Sequence, residues 1–225
     1  HTSTNSGALL LKAVRERLED SHKSPFVRLA WQRLLELEVA GISEFAARAI
    51  GNPDAEVRQL AVNTIGHYPS DEGIQLLGQT LDDRHPGVRL AARQTLLRIS
   101  SNDLFNEAVR RAGSKAIADS SWRSQEQAII LLAVLNQSNA ASRMLPLLDV
   151  PRAEVAVAAA WGLRRLNVTE LASDVLEQAE LLDARIIDGQ TLNPHDQIVL
   201  AHLFEALSMA KHREAIPVLK RWLPK

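Results

Sequence analysis

The densest grouping of side chains able to grip a ligand lies between residues 110 and 123: Arg110, Arg111, Lys115, Trp122 and Arg123. Guanidinium groups bind carboxylates and phosphates through paired donors, and Trp and Arg are enriched where interfaces concentrate their energy. In this spacing they form a candidate contact for an anion or a peptide. The competing expectation is a solvated helix face beside a half-buried Trp. Other chemistry finds less support. There is no cysteine, which excludes disulfides, thiolate zinc sites, iron–sulfur clusters and cysteine nucleophiles. His1, His22, His67, His85, His195, His202 and His212 show no paired spacing on a helix of the kind metal sites use. His195 and His202 are seven apart and share a helical face, but Asp196 does not follow it. No metal site is expected, and His85 and His195 adjoin prolines, which favours roles in turns. No Gly-x-Ser-x-Gly, Walker loop or Gly-x-Gly-x-x-Gly occurs. No catalytic residue is assigned and no cofactor is expected. The acid pairs Asp71/Glu72 and Asp82/Asp83 are expected to cap helices or open their first turns.

Composition narrows the partners. Apolar residues make up 46% of 225 and charged residues 24%, so the chain is globular rather than disordered. Aromatic residues reach only 4%, which demands an aliphatic core. The net charge is −1, without the basic excess that phosphate binding requires, so nucleic acid is not expected as a partner. Apolar runs such as 128–135 are far short of the roughly 20 residues of a membrane helix, so no membrane insertion is expected. Charge is nevertheless segregated. Residues 170–196 hold Glu170, Asp174, Glu177, Glu180, Asp183, Asp188 and Asp196 against Arg185. Residues 211–225 hold Lys211, Arg213, Lys220, Arg221 and Lys225 against Glu214. These are expected to be complementary faces at one end of the fold, the basic one also matching its helix dipole. The chain opens on His1 and a polar stretch, which reads as a processed or excised segment with a possible upstream domain. No compartment follows from any of this.

The elements that must position these residues repeat. Pro25-Phe26-Val27-Arg28-Leu29-Ala30 matches Pro86-Gly87-Val88-Arg89-Leu90-Ala91. Pro53-Asp54-Ala55-Glu56-Val57-Arg58 matches Pro151-Arg152-Ala153-Glu154-Val155-Ala156, and Pro194 to Ala201 is a weaker copy. Val27, Val57 and Val88 are 30 and 31 residues apart, and Ser124 to Ile129 fills the next gap in degenerate form. Each proline sits at or near a first helical position, where its missing N–H costs nothing. Apolar residues then recur at three and four, as in Val57, Leu60, Ala61 and Ile65, giving an amphipathic helix. Shorter apolar helices follow around Ile74, Leu145 and Ile216. Neither helix of a pair can bury its face alone, so the pairs must stack. Trp31 and Trp161 are expected in the core, and Trp222 over the last pair.

The Pro-x-x-x-Val-Arg-x-x-Ala style of these first helices, and second helices such as Gly73-Ile74-Gln75-Leu76-Leu77, resemble HEAT repeats. The form is similar to the short repeats of phycobilisome lyases. The resemblance covers about 25–223 and implies an all-α fold, a right-handed α-solenoid of about six helix pairs. The expected pairs are 25–50, 53–82, 86–119, 122–149, 151–183 and 194–223, in one domain, with 1–24 as tail and capping helix (8–20). Asp119-Ser120-Ser121 should cap the fourth pair, and Glu180 to Pro194 should form a long loop. In such families the Arg of the repeated motif pairs with neighbouring acids, so Arg28, Arg58 and Arg89 are expected to form a ladder. Second helices usually line the concave face, which is why residues 110–123 are the candidate contact. The implied function is a non-catalytic scaffold or adaptor binding a protein or peptide partner. Two alternatives stay open: bilin (tetrapyrrole) lyase-like or chaperone activity, and a nucleic-acid or DNA-repair role of the HEAT-like glycosylase kind.

Overall fold

The computed structural model describes residues 2–19, 25–36, 38–167, 169–187 and 194–222. Every regular element among them is helical. The chain divides into two compact units, His1–Ala112 and Gly113–Lys225. The division falls inside one helix.

The first unit starts with α1 (Thr2–Glu19), which packs on α2 (Pro25–Glu36). It continues through α3 (Ile42–Ala49), α4 (Ala55–His67), α5 (Asp71–Thr80), α6 (Pro86–Ile99) and the first turns of α7 (Asp103–Ile117). α1 begins six residues before the expected capping helix. α2/α3, α4/α5 and α6/α7 are the first three expected pairs. First helices pack on one another, α2 on α4 and α4 on α6, which is how a repeat stack buries faces that no single pair could cover. The seam is aliphatic: Val57, Ala61, Val62, Ile65, Ile74, Leu77, Val88, Ala92 and Leu96 are all buried. Trp31 is wholly buried against Phe45, with ring centroids 4.8 Å apart. Its indole N–H donates to Thr64 Oγ1 at 2.7 Å, which satisfies a polar group that would otherwise be stranded. Gly66 lets α4 and α6 approach closely, since a Cβ there would collide with Thr95 and Arg98.

Turn chemistry matches the sequence expectation in part, with shifts of one or two residues; Asp82 and Asp83, however, lie ahead of the α6 cap, so they neither cap a helix nor open its first turn. Pro86 is the first residue of α6, and the His85 imidazole caps it, Nδ1 accepting from the Gly87 N–H at 3.2 Å. Asp71 and Glu72 open α5, whose cap is Ser70. Pro53 instead lies outside α4, where Asp54 caps by accepting from Glu56 N–H at 2.9 Å.

The second unit takes the rest of α7, then α8 (Trp122–Val134), α9 (Ala141–Met144), α10 (Ala153–Leu166), α11 (Ala172–Ile187), α12 (Pro194–Met209) and α13 (Ile216–Arg221). α8 packs on α10 and α10 on α12, around Ile129, Leu132, Val155, Ala159, Leu163, Val199 and Leu203. Three expectations need correction here. The second helix of the 122–149 pair is broken into a 3-10 turn at Ser138–Ala140, the single turn α9 and a 3-10 stretch at Leu145–Asp149. Pro146 explains it: a proline at that point lacks the N–H and clashes with the carbonyl four residues earlier. Residues 180–187 are helical where a loop was expected, and Asp188-Gly189-Gln190-Thr191 lies outside the described residues. Trp161 is half-buried rather than core.

Three first helices also end in a way that the sequence did not signal. Glu38 after α2, Asn136 after α8 and Lys211 after α12 have φ of 47°, 52° and 54°. Each makes the paired backbone bonds of a left-handed helix stop, for example Gln137 N–H to Leu132 O at 2.9 Å and Asn136 N–H to Ala133 O at 3.2 Å. Asn167 ends α10 at φ 47°.

Candidate functional site

α7 presents its apolar face, Ala108, Val109, Ala112, Ala116 and Ile117, to the interior. That places Arg111 and Lys115 outward, where both are exposed. Arg111 lies 3.8 Å from Glu107, one turn earlier, an exposed pair that contributes a few tenths of a kcal/mol, about 0.3–0.5. Arg110 is half-buried, and its Nε is buried without a hydrogen bond. Arg110 and Arg111 belong to the first unit, and Lys115, Trp122 and Arg123 to the second. Arg143 of α9 donates to Ser114 O at 3.0 Å, bringing another cation next to Lys115 in the chain.

Trp122 is the first residue of α8 and is half-buried. The Arg123 guanidinium lies 5.6 Å from the ring centroid and the Arg152 guanidinium 5.3 Å. Both are within the range of cation–π attraction, about 0.5–1 kcal/mol each where solvent reaches them. Arg152 was missed from the sequence, although a signal existed: it stands 30 residues after Trp122, one repeat on. Ser121 is the N-cap by position, but its side chain makes no capping bond, contrary to expectation. Asp119 instead accepts from the Ser121 N–H at 3.1 Å.

Other charged side chains hold the structure together. Arg58 binds Asp83 through both prongs, Nε to Oδ2 at 2.7 Å and Nη2 to Oδ1 at 2.8 Å. Its Nη1 donates to Asn52 O and Pro53 O. Arg89 reaches Asp83 O at 3.0 Å, and Arg84 reaches Pro53 O at 2.7 Å. Arg58 is the expected rung, an Arg on the acid of the next unit; the Arg89 bonds go to backbone carbonyls of its own turn, and Arg28 is exposed. Burial pushes the Asp83 carboxyl up, but hydrogen bonds from Arg58 and the His85 N–H, with the charges of Arg58 and Arg84, outweigh it and hold the group below its ordinary value.

The acidic and basic stretches meet at one point. Asp183 is buried and accepts from Arg221 and from Trp222 Nε1, the latter at 2.8 Å. Trp222 also meets Phe204 edge-on at 6.1 Å. Between α10 and α12, Arg164 pairs with Glu205, with His202 3.9 Å from the same carboxylate. The Arg164 hydrogen bond is the main reason that Glu205 titrates below its ordinary value. Burial, aided by the Arg164 charge, lowers His202. Among the described residues no group of three His, Asp or Glu side chains could hold a metal ion, and no helix is long and apolar enough to cross a membrane.

Stacked helix pairs with shared aliphatic seams define an α-solenoid class of fold. Within it, the family described as HEAT repeats matches residues 42–113. No curated protein matches the chain. Among solved structures it is similar to a designed armadillo repeat protein in complex with the peptide (KR)4, at 20% identity over 88% of this chain and 99% of that one, with a TM-score of 0.45. It is also similar to a computationally designed armadillo repeat protein for modular peptide recognition (19% identity, 92% and 97% covered, TM-score 0.47) and to an engineered protein (19%, 94% and 97%, 0.47).

Proposed function

We propose that this chain is a non-catalytic scaffold or adaptor that binds a protein or peptide partner through the surface of its helix pairs. The observation that carries the reading is Trp122 with the Arg123 and Arg152 guanidiniums over its ring, at the starts of two neighbouring first helices. An aromatic ring with two cations suits a partner that brings carboxylates beside an apolar group. Lys115, exposed in the same unit, adds a further cation. The repeats themselves fit the short form found in phycobilisome lyases, on the 30- and 31-residue spacing of Val27, Val57 and Val88.

The test is co-purification from cells of the native source, with the full chain as bait and Trp122→Ala/Arg123→Ala as the matched variant. The expected result is a discrete partner that the variant loses. A monomer that captures nothing, yet binds a bilin in an absorbance titration or retains duplex DNA with a steep salt dependence, would overturn the reading.

A further inference from the structure

The broken second helix has a consequence for the surface beside it. With Leu145–Asp149 wound as a 3-10 stretch instead of a helix, the neighbouring face of α11 is left partly uncovered. A groove of about 450 Å³ runs between them, in the size range of pockets that hold small ligands or side-chain anchors. Leu145, Pro146 and Asp149 form one wall. Asp174, Glu177, Gln178, Leu181 and Arg185 of α11 form the other. The α11 residues fall at i, i+3, i+4, i+7 and i+11, one continuous stripe along the helix. Its opposite side, Val175, Leu176, Ala179 and Leu182, is buried in the unit's core.

Charge and polarity in the groove are uneven. Three carboxylates face one cation, and that cation is engaged: Arg185 binds Asp149 at 2.9 Å. Asp174 and Glu177 are exposed and have no ion-pair partner among the described residues. Leu181 is 49% exposed in the same stripe, unusual for a leucine on a helix whose other leucines are buried. Acid at one end and an aliphatic patch about 10 Å further on, two helical turns away, form a bipartite surface. An extended peptide covers that distance in about three residues.

We propose that this groove docks a short cationic peptide segment, with one or two Lys or Arg side chains on Asp174 and Glu177 and an aliphatic side chain three residues away on Leu181 and Pro146. This extends the partner-binding reading to a second surface and gives it a chemistry.

The probe is a fluorescein-labelled acetyl-Lys-Lys-Ala-Ala-Leu-Ala-amide peptide, titrated against the full chain by fluorescence anisotropy at low salt. Saturable binding is expected, with none for the same peptide carrying Glu in place of Lys. Asp174→Lys/Glu177→Lys should weaken it about tenfold or more, since like charges then face each other. Leu181→Ser should weaken it about threefold, in line with one lost aliphatic contact. Glu180→Lys makes the same kind of charge change on the same helix but outside the groove, and should leave binding unaltered. All four positions are exposed, and circular dichroism verifies the fold. If Glu180→Lys weakens binding as much as the groove variant, the attraction is diffuse and the proposal fails. It fails also if no saturation occurs, or if the chain dimerises and the groove variant abolishes the dimer, because the occupant is then a second copy. A partner captured equally by wild type and by the groove variant, with no peptide binding, removes the groove and leaves the scaffold reading intact. Groove-specific peptide binding with no captured partner does the reverse.

Discussion

Residues 42–113 and residues 122–187 are both built of helix pairs, yet they secure their turns by different means. In the first stretch the second helices are whole, the buried Arg58 stitches its own turn to the next through Asp83, and the buried Arg89 ties down the turn before its own helix. In the second stretch that position holds Ala156, buried in the seam, and the turns rely on left-handed stops and 3-10 entries. At its turns the first leans on a buried Arg and the second more on backbone geometry, with Asp183 as its one buried acid held by side chains, those of Arg221 and Trp222, among the described residues. The first stretch buries Arg58 and Arg89 in its own support. The second has an open groove beside its broken helix.

Breaking the side-chain tie should therefore cost the most. Asp83→Ala leaves a guanidinium that is 5% exposed without its anion, and a loss of about 3–5 kcal/mol is expected from chemical denaturation followed by circular dichroism. Asp183→Ala removes an acid more deeply buried than Asp83, but its partner Arg221 is 48% exposed and can turn to water. About 1–2 kcal/mol is expected there. Equal losses at the two sites would erase the contrast.

Acid offers a second handle on the same tie. Asp83 titrates below its ordinary value in the folded chain. Its stabilisation is therefore complete above the unfolded carboxylate value near 3.9 and disappears as pH falls through the lower folded value. The stability gap between wild type and Asp83→Asn should hold at neutral pH and close on acidification below about pH 4. A gap that stays constant would detach the ladder from the charge.

The smallest expected effect sharpens the backbone half of the contrast. Glu38→Gly and Lys211→Gly relieve side chains held at φ of 47° and 54° and should stabilise by up to about 1 kcal/mol. Ser100→Gly, at the end of α6 with φ −65°, should instead destabilise by about 0.5–1 kcal/mol. Thermal melts of the three variants give the signs.

The helix pairs were legible because the proline, the β-branched anchor and the Ala three or four residues on recur at nearly fixed spacing. The Arg58 rung was legible for the same reason, with Asp83 among the acids near enough in sequence to serve; the Arg89 side chain is tied to backbone carbonyls instead. Arg28 shares the motif but not the burial, since a motif records a position and not the acid that must meet it. The left-handed stops at Glu38 and Lys211 could not be read, because glycine is the residue that announces them and neither position has one. The failed helix around Pro146 was readable in principle, but the apolar run Leu145 to Leu148 masked it. Of the candidate contact, Trp122 and Arg123 are brought together while Arg152 was found only in three dimensions, as pairings one repeat apart generally are.

Asp83 takes the Arg58 side chain on its carboxylate and the Arg89 side chain on its own carbonyl. One residue thus belongs to two consecutive repeats at once. In a nearest-neighbour description of a repeat array, such a residue adds to the coupling between units rather than to the intrinsic stability of either. Fraying that starts in one of them is then carried across to the next, so α4 and α6 should exchange their amide protons as a single cooperative block.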